Sequence, residues 1–360
     1  MINVLVVEDS RVIRDYLVYI LKTDPEIRVM GTAESGEAAL EFLGEHRPDA
    51  ILMDIHMPGI DGLETTRRIM SLNPVPIVVC TASTQFDQVH TAMSALEAGA
   101  LAVLKKPKGL GEPDAEDEAA AIIKTLKLMS EVKVVRRWNH TAPAAAQVAS
   151  AVAQPILCDA VGSHDAAIVA IGASTGGPPA LLKILSGLST AFPTPILVVQ
   201  HISAGFTDGF AEWLAATSGM PVHVARGGET PMPGHVYVAP DDHHLRIGPR
   251  GNIETTQDAP HNGLRPSVGV LFRSVAERFG RRAIGVLLTG MGRDGAEELK
   301  IMADRGALTI AQDEESCVVF GMPGEAIRLG AARFVFPPHK IAELLAAAVR
   351  RGTSKGDIDG

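Results

Sequence analysis

Residues 1 to about 130 alternate two kinds of apolar pattern. Unbroken runs at Asn3–Val7, Arg28–Gly31, Ala50–Met53, Ile77–Cys80 and Ala102–Leu104 read as buried strands. Between them lie stretches with apolar residues at helical spacing, such as Ser10 to Leu21, with Ser10 as the N-cap. Repeated βα units imply a parallel, doubly wound sheet of these runs. The acidic, polar segment Gly109 to Glu118 then gives way to a helix over Ala119 to about Val135.

Thr141 to about Gly162 is Ala, Pro, Val and Ser with almost no charge or periodicity, which is linker composition. Beyond it the alternation resumes. The apolar run Ala167–Ile171 breaks at Gly172-Ala173-Ser174-Thr175-Gly176-Gly177 and continues as a helix, with Pro178 and Pro179 in its first turn and Leu181, Leu182 and Leu185 at helical spacing. Strand Pro195–Gln200 ends in His201 and leads to a helix over Phe206–Thr217. Val236–Ala239 and Leu245–Gly248, continued by Asn252–Thr256, read as a short antiparallel excursion. Helix Pro266–Phe279, strand Ala283–Leu288, the glycine-rich Thr289-Gly290-Met291-Gly292-Arg293-Asp294-Gly295 and helix Ala296–Arg305 follow. The expected architecture is an α/β domain over residues 1–130, a helix end and flexible linker over 131–162, a second mostly parallel, doubly wound α/β domain over 163–352, and a polar tail over 353–360.

Function in such sheets gathers at the C-terminal ends of strands. Glu8 and Asp9 follow the first strand, Asp54 the third, Thr81 the fourth, and Lys106 with Pro107 the fifth. Three carboxylates converging there need a counter-charge; magnesium, a hard cation taking carboxylate and phosphate oxygens, supplies it, and a lysine opposite can pair with a phosphoryl group. In the second domain Ser174 sits in a G-x-S-x-G turn between strand and helix, where a hydroxyl is lifted beside a helix N-terminus; a phosphate cradle or a plain turn would read the same locally. Ser174, His201 and Asp294 each stand at the exit of a strand, as a nucleophile, a base and an orienting carboxylate require. The chain order Ser, His, Asp departs from the Ser, Asp, His order of α/β-hydrolases.

Composition narrows the classes. A net charge of −9 and only 4% aromatic residues disfavour nucleic acid and anionic membranes as partners. The cysteines Cys80, Cys158 and Cys317 are far apart and form no C-x-x-C pair, which fits a reducing compartment. With no basic leader and no apolar stretch long enough to span a bilayer, a cytoplasmic protein without membrane insertion is expected. His243, His244 and His261 lack the fixed spacing of a metal set, and Met302 and Met322 read as core fillers. Arg265 either caps a substrate groove or pairs with a carboxylate, and the cluster Lys133, Arg136 and Arg137 reads as a solvated helix end.

The first third resembles the receiver domain of two-component response regulators, with Leu52-Met53-Asp54-Ile55-His56-Met57-Pro58-Gly59 carrying much of the likeness. The resemblance implies Asp54 as phospho-acceptor, Glu8, Asp9 and Asp54 as magnesium ligands, and Thr81 and Lys106 as the phosphoryl pocket. Leu104 stands where many receivers carry an aromatic switch residue. The segments Gly172–Gly177, Gln200-His201-Ile202, Ala239-Pro240, Leu264-Arg265-Pro266-Ser267-Val268 and Leu288–Gly295 resemble the catalytic domain of chemotaxis protein-glutamate methylesterases of the CheB type. That resemblance implies Ser174 as nucleophile, His201 as base, Asp294 as orienting acid and the backbone N–H groups of Thr175 and Met291 as oxyanion donors, with no cofactor needed at the esterase site. Arg293 replaces an asparagine of the family pattern. The implied protein is a monomeric enzyme that demethylates and deamidates methyl-accepting chemoreceptors, with a chemotaxis histidine kinase as phosphodonor and a receiver that restrains the esterase until Asp54 is phosphorylated. Rival readings are a receiver-linked transcription factor, which would need a basic helix-turn-helix, and a binding module with an inactive esterase fold.

Overall fold

The computed structural model describes residues 1–81, 86–109, 112, 115–132, 134 and 165–350. The expected linker 141–162, the cluster Lys133, Arg136 and Arg137, Cys158 and the tail 353–360 lie outside the described residues. The chain divides into two compact units, Met1–Asn139 and His140–Gly360.

In the first unit the elements run β1 (Ile2–Val7), α1 (Arg11–Lys22), β2 (Ile27–Ala33), α2 (Gly36–Glu45), β3 (Ala50–Asp54), α3 (Gly62–Leu72), β4 (Ile77–Thr81), α4 (Phe86–Ala98), β5 (Ala102–Lys105) and α5 (Ala115–Ser130). The strands pair in the order β2-β1-β3-β4-β5, all parallel. β3 and β4 are buried along their whole length, which is why their sequences are unbroken apolar runs rather than alternating ones. Strand order reverses at β1, so the loops after β1 and β3 flank the crevice where doubly wound sheets bind ligands. Two local expectations need correcting. Ser10 occupies the N-cap of α1, but its side chain makes no capping hydrogen bond. The closing helix begins at Ala115, because Glu116, Asp117 and Glu118 complement the positive end of the helix dipole in its first turn.

The second unit continues with β6 (Ile168–Ala173), α6 (Gly177–Ser186), β7 (Ile196–Gln200), α7 (Thr207–Ser218), β8 (Val222–Val224), β9 (Val236–Val238), β10 (His244–Ile247), β11 (Ile253–Thr256), α8 (Val268–Phe279), β12 (Ala283–Leu287), α9 (Ala296–Asp304), β13 (Leu308–Gln312), α10 (Met322–Arg328), β14 (Phe334–Phe336) and α11 (Pro338–Arg350). A seven-stranded sheet has the order β14-β13-β12-β6-β7-β9-β8, and every pairing in it is parallel. The antiparallel excursion is the pair β10–β11 alone. Val236–Val238 belongs to the main sheet, where it pairs with β7, because its side chains are all buried and need cover on both faces. Helix α8 starts at Val268 rather than Pro266, with Ser267 as the residue that caps it. Met302 and Met322 are fully buried, as core fillers should be.

Candidate active site

In the receiver-like unit, β1, β3 and β4 deliver Glu8, Asp54 and Thr81 to one rim, all of them buried. Lys106 reaches in from the loop after β5, with Nζ 2.7 Å from Glu8 Oε2 and 2.9 Å from Asp54 Oδ2. Burial opposes the charge on Lys106, but its bonds to Glu8 and Asp54 outweigh that and raise its pKa above the ordinary lysine value. Burial dominates at Glu8 and pushes its carboxyl up, in spite of Lys106. Asp9 is exposed at the mouth, and one oxygen from each of Glu8, Asp9 and Asp54 lies within 4.8 Å of the others. Glu8 Oε1 and Thr81 Oγ1 are buried without a hydrogen-bond partner among the described residues. Unmet oxygen donors beside three clustered carboxylates fit a small hard cation such as magnesium, together with phosphoryl oxygens.

In the second unit, three neighbouring strands set the geometry. Ala173 on β6 is level with Gln200 on β7, and Gly172 with Leu287 on β12, so Ser174, His201 and the loop carrying Asp294 leave the sheet at one height. Gly176, at φ 77°, makes the left-handed step that turns β6 into α6. The two glycine-rich turns interlock: Ser174 N–H donates to Thr289 O at 3.0 Å, and Thr289 Oγ1 donates to Thr175 O at 2.9 Å. Gln200 Nε2 donates to the carbonyls of both Ser174 and His201, each at 2.9 Å. No residue among the described ones takes up the N–H of Thr175 or of Met291. Burial pushes the Cys317 thiol beside this turn up to about 12, so it is a poor rival nucleophile at neutral pH.

Asp294 is buried at the N-terminus of α8. Its Oδ2 accepts from Val268 N–H at 2.7 Å, and its Oδ1 accepts from Ser267 Oγ at 2.8 Å and Gly269 N–H at 3.1 Å. His201 Nε2 lies 3.0 Å from Oδ2, at ion-pair distance but outside the alignment of a straight hydrogen bond. Burial alone would raise the pKa of Asp294; His201, Ser267 and the Val268 N–H together outweigh it and hold the carboxyl below its usual range. With Nε2 turned to the carboxylate, Nδ1 is the imidazole nitrogen left for a proton from a hydroxyl. A hydroxyl, an imidazole and a buried carboxylate thus leave the sheet at one rim, the last two in contact.

Arg265 resolves toward structure. It pairs with Asp242 at 2.6 Å and donates to the carbonyls of Gln257 and Asp258, both at 3.1 Å. Arg293 is exposed while its neighbour Asp294 is buried, so the departure from the family pattern leaves the carboxylate's contacts in place.

Residues 169–345 match the CheB methylesterase family, and residues 4–112 match the response regulator receiver domain. A protein-glutamate methylesterase/protein-glutamine glutaminase of Nitrosospira multiformis is 53% identical over 356 residues, covering 99% of each chain. The chain belongs to the CheB methylesterase family. Relatives of the same name in Syntrophus aciditrophicus and Geobacter metallireducens are 50% and 49% identical, each over 96% of this chain and 97% and 98% of their own lengths. Within this family frame, sequence reasoning passed over three side chains that build the site. Gln200, Thr289 and Ser267 all lie in the segments that carried the resemblance, yet nothing local marks a buried amide or hydroxyl as a tie between turns.

Proposed function

We propose that this chain is a phosphorylation-regulated serine hydrolase that removes methyl esters from glutamate side chains of chemoreceptors and deamidates receptor glutamines, acting in the cytoplasm as a monomer. The observation that carries the reading is the buried Asp294 held by the N-terminus of α8 with His201 against it, on the rim that also carries Ser174. In this reading Ser174 Oγ attacks the γ-carbonyl carbon and gives its proton to His201 Nδ1, while Asp294 stabilises the imidazolium. The N–H groups of Thr175 and Met291 hold the oxyanion. As the tetrahedral intermediate collapses, the carbon–oxygen bond to the methyl ester breaks and the departing oxygen takes the proton from His201, leaving as methanol. Water then attacks the acyl-Ser174 ester, with His201 again as base, and releases glutamate and free serine. A glutamine enters the same sequence with ammonia as the leaving group.

In the receiver-like unit, a histidine kinase of the chemotaxis system delivers a phosphoryl group to Asp54. Magnesium bound by Glu8, Asp9 and Asp54 would neutralise phosphoryl oxygens during transfer. Lys106 pairs with one phosphoryl oxygen and Thr81 donates to another, and the added charge raises esterase activity. The test is methanol release from methylated receptor by the full chain and by Ser174→Ala, with and without a phosphodonor. Release unaffected by Ser174→Ala overturns the hydrolase assignment; stimulation that survives Asp54→Asn overturns the regulatory one.

A further inference from the structure

We propose that Ser267 is a positioning residue for the hydrolase reaction: held in turn by His261, its hydroxyl fixes the Asp294 carboxylate so that Oδ2 is presented to His201. The inference rests on the reading of Asp294 as the carboxylate of the triad.

The two oxygens of Asp294 are occupied differently. Oδ2 faces Val268 N–H and His201, while Oδ1 faces the Ser267 hydroxyl and Gly269 N–H. The backbone donors are fixed by the helix, and Ser267 is the one side-chain hydroxyl bonded to the carboxylate among the described residues. Ser267 is itself fully buried and over-determined. Its backbone N–H donates to His244 Nδ1 at 3.2 Å, and His244 Nε2 lies 3.2 Å from the carbonyl of Ala259, so Nδ1 is the accepting nitrogen of that ring and Nε2 the donating one.

Proton counting decides the direction of the remaining contacts. Serine has one hydroxyl proton, and the ionised carboxylate of Asp294 can only accept it. Gly269 N–H, 3.1 Å from Ser267 Oγ, is therefore a donor to it, and His261 Nδ1, which also faces Asn262 Nδ2 at 3.5 Å, lies 3.3 Å from the same oxygen and donates to it in the Nδ1-protonated tautomer. A serine that merely caps a helix needs the Gly269 contact alone. This one also spends its proton on Asp294 and has the His261 ring against its oxygen. The far side of the His261 ring faces Glu298: Nε2 lies 4.0 Å from Oε1, which is also 3.0 Å from Arg273 Nη2. Glu298 is buried one helical turn beyond Asp294, and a Cβ at Gly269 would fall 2.8 Å from Glu298 Oε2 and 3.3 Å from Asp294 Oδ1. The two carboxylates thus crowd one glycine, and the His261 ring lies between Ser267 and Glu298. His201, His244, His261, Arg273, Glu298 and Asp294 are the titratable and charged groups that face this cluster.

The test compares Ser267→Ala, His261→Phe and Asp294→Asn in the full chain by methanol release against pH, with the melting temperature of each. For Ser267→Ala, kcat falls between about tenfold and a hundredfold, the worth of a hydrogen bond to a charged acceptor, with KM little changed. The acid limb of its pH profile moves to higher pH, because a carboxylate that has lost a donor is more basic and holds the His201 imidazolium more firmly. His261→Phe shifts both in the same direction by less, and decides the matter if Ser267→Ala does not fold. A lowered melting temperature with wild-type kcat and an unmoved acid limb overturns the proposal and leaves Ser267 a helix cap. Wild-type kcat in Asp294→Asn would remove the triad reading and this proposal with it, whereas an inactive Asp294→Asn beside an unaffected Ser267→Ala removes the proposal alone.

Discussion

Gly290 packs against Ser174 so closely that a Cβ at position 290 would lie 2.6 Å from the serine Cβ and 3.2 Å from its backbone nitrogen. The turn after β12 and the turn after β6 are therefore one object, locked further by the bond from Ser174 N–H to Thr289 O. An alanine at 290 has to push one turn away from the other, which misplaces Ser174 against the N–H of Met291. Gly290→Ala should cost roughly a hundredfold or more in kcat, the effect of losing one oxyanion donor. Phosphorylation of Asp54 by a small phosphodonor should be retained. Methanol release within about threefold of wild type would show that the turn tolerates the shift and that the oxyanion assignment is wrong.

Gln200 is buried, and its amide serves two carbonyls at once. Gln200→Leu keeps the volume and strands the carbonyls of Ser174 and His201, at a cost to stability of about 1–3 kcal/mol for each buried group left unpaired. Thermal unfolding should show the loss, accompanied by a fall in kcat. An unshifted melting temperature would mean that these carbonyls find other donors.

Asp294 gives a pH signature. Its folded pKa lies below the ordinary value, since His201, Ser267 and Val268 N–H outweigh the opposing effect of burial. The folded state therefore favours the carboxylate: the stabilisation is fully present above the unfolded pKa of about 4 and is lost as pH falls through the folded pKa. The stability gap between wild type and Asp294→Asn, read from urea midpoints, should narrow as pH drops below about 4. A gap unchanged between about pH 6 and 3 would contradict the linkage.

The receiver pocket predicts a metal requirement. Chelation of divalent cations should abolish labelling of Asp54 by a small phosphodonor, and magnesium should restore it. Lys106→Ala leaves Glu8 and Asp54 buried without the cation that bridges them, so it should destabilise this unit as well as weaken the response. Undiminished labelling in excess chelator would refute magnesium dependence.

Arg265 separates structure from substrate binding. Its guanidinium holds Asp242 and two carbonyls, so Arg265→Ala should lower the melting temperature with KM nearly unchanged. A KM raised more than about tenfold at an unchanged melting temperature would assign it to the substrate groove instead.

Much of this was legible along the chain because parallel strands buried on both faces announce themselves as unbroken apolar runs, and their C-terminal ends mark where chemistry collects. Asp54, Ser174 and His201 were each visible as a polar residue closing such a run, and Asp294 as the acid in the glycine-rich turn that follows one. Other strands were not: Leu308–Gln312 is broken by Thr309 and closed by Gln312, Val222–Val224 and Phe334–Phe336 have exposed centres, and Val236–Val238 reads the same in an antiparallel hairpin as at its true place beside β7. Direction of pairing depends on which distant segment arrives alongside, and local pattern carries no record of it.

The sequence by itself determined the two α/β units, the order of their strands along the chain, and the residue types available at each strand exit. Tertiary structure alone decided that Asp294 would sit in the N-terminus of α8 with Ser267 and two backbone N–H groups on its oxygens, that Gln200 would tie Ser174 to His201, and that Lys106 would bridge Glu8 and Asp54. The reason is physical: periodicity reports burial, which is a property of one segment, whereas a hydrogen bond between segments far apart in the chain exists only once packing has fixed their distance and direction.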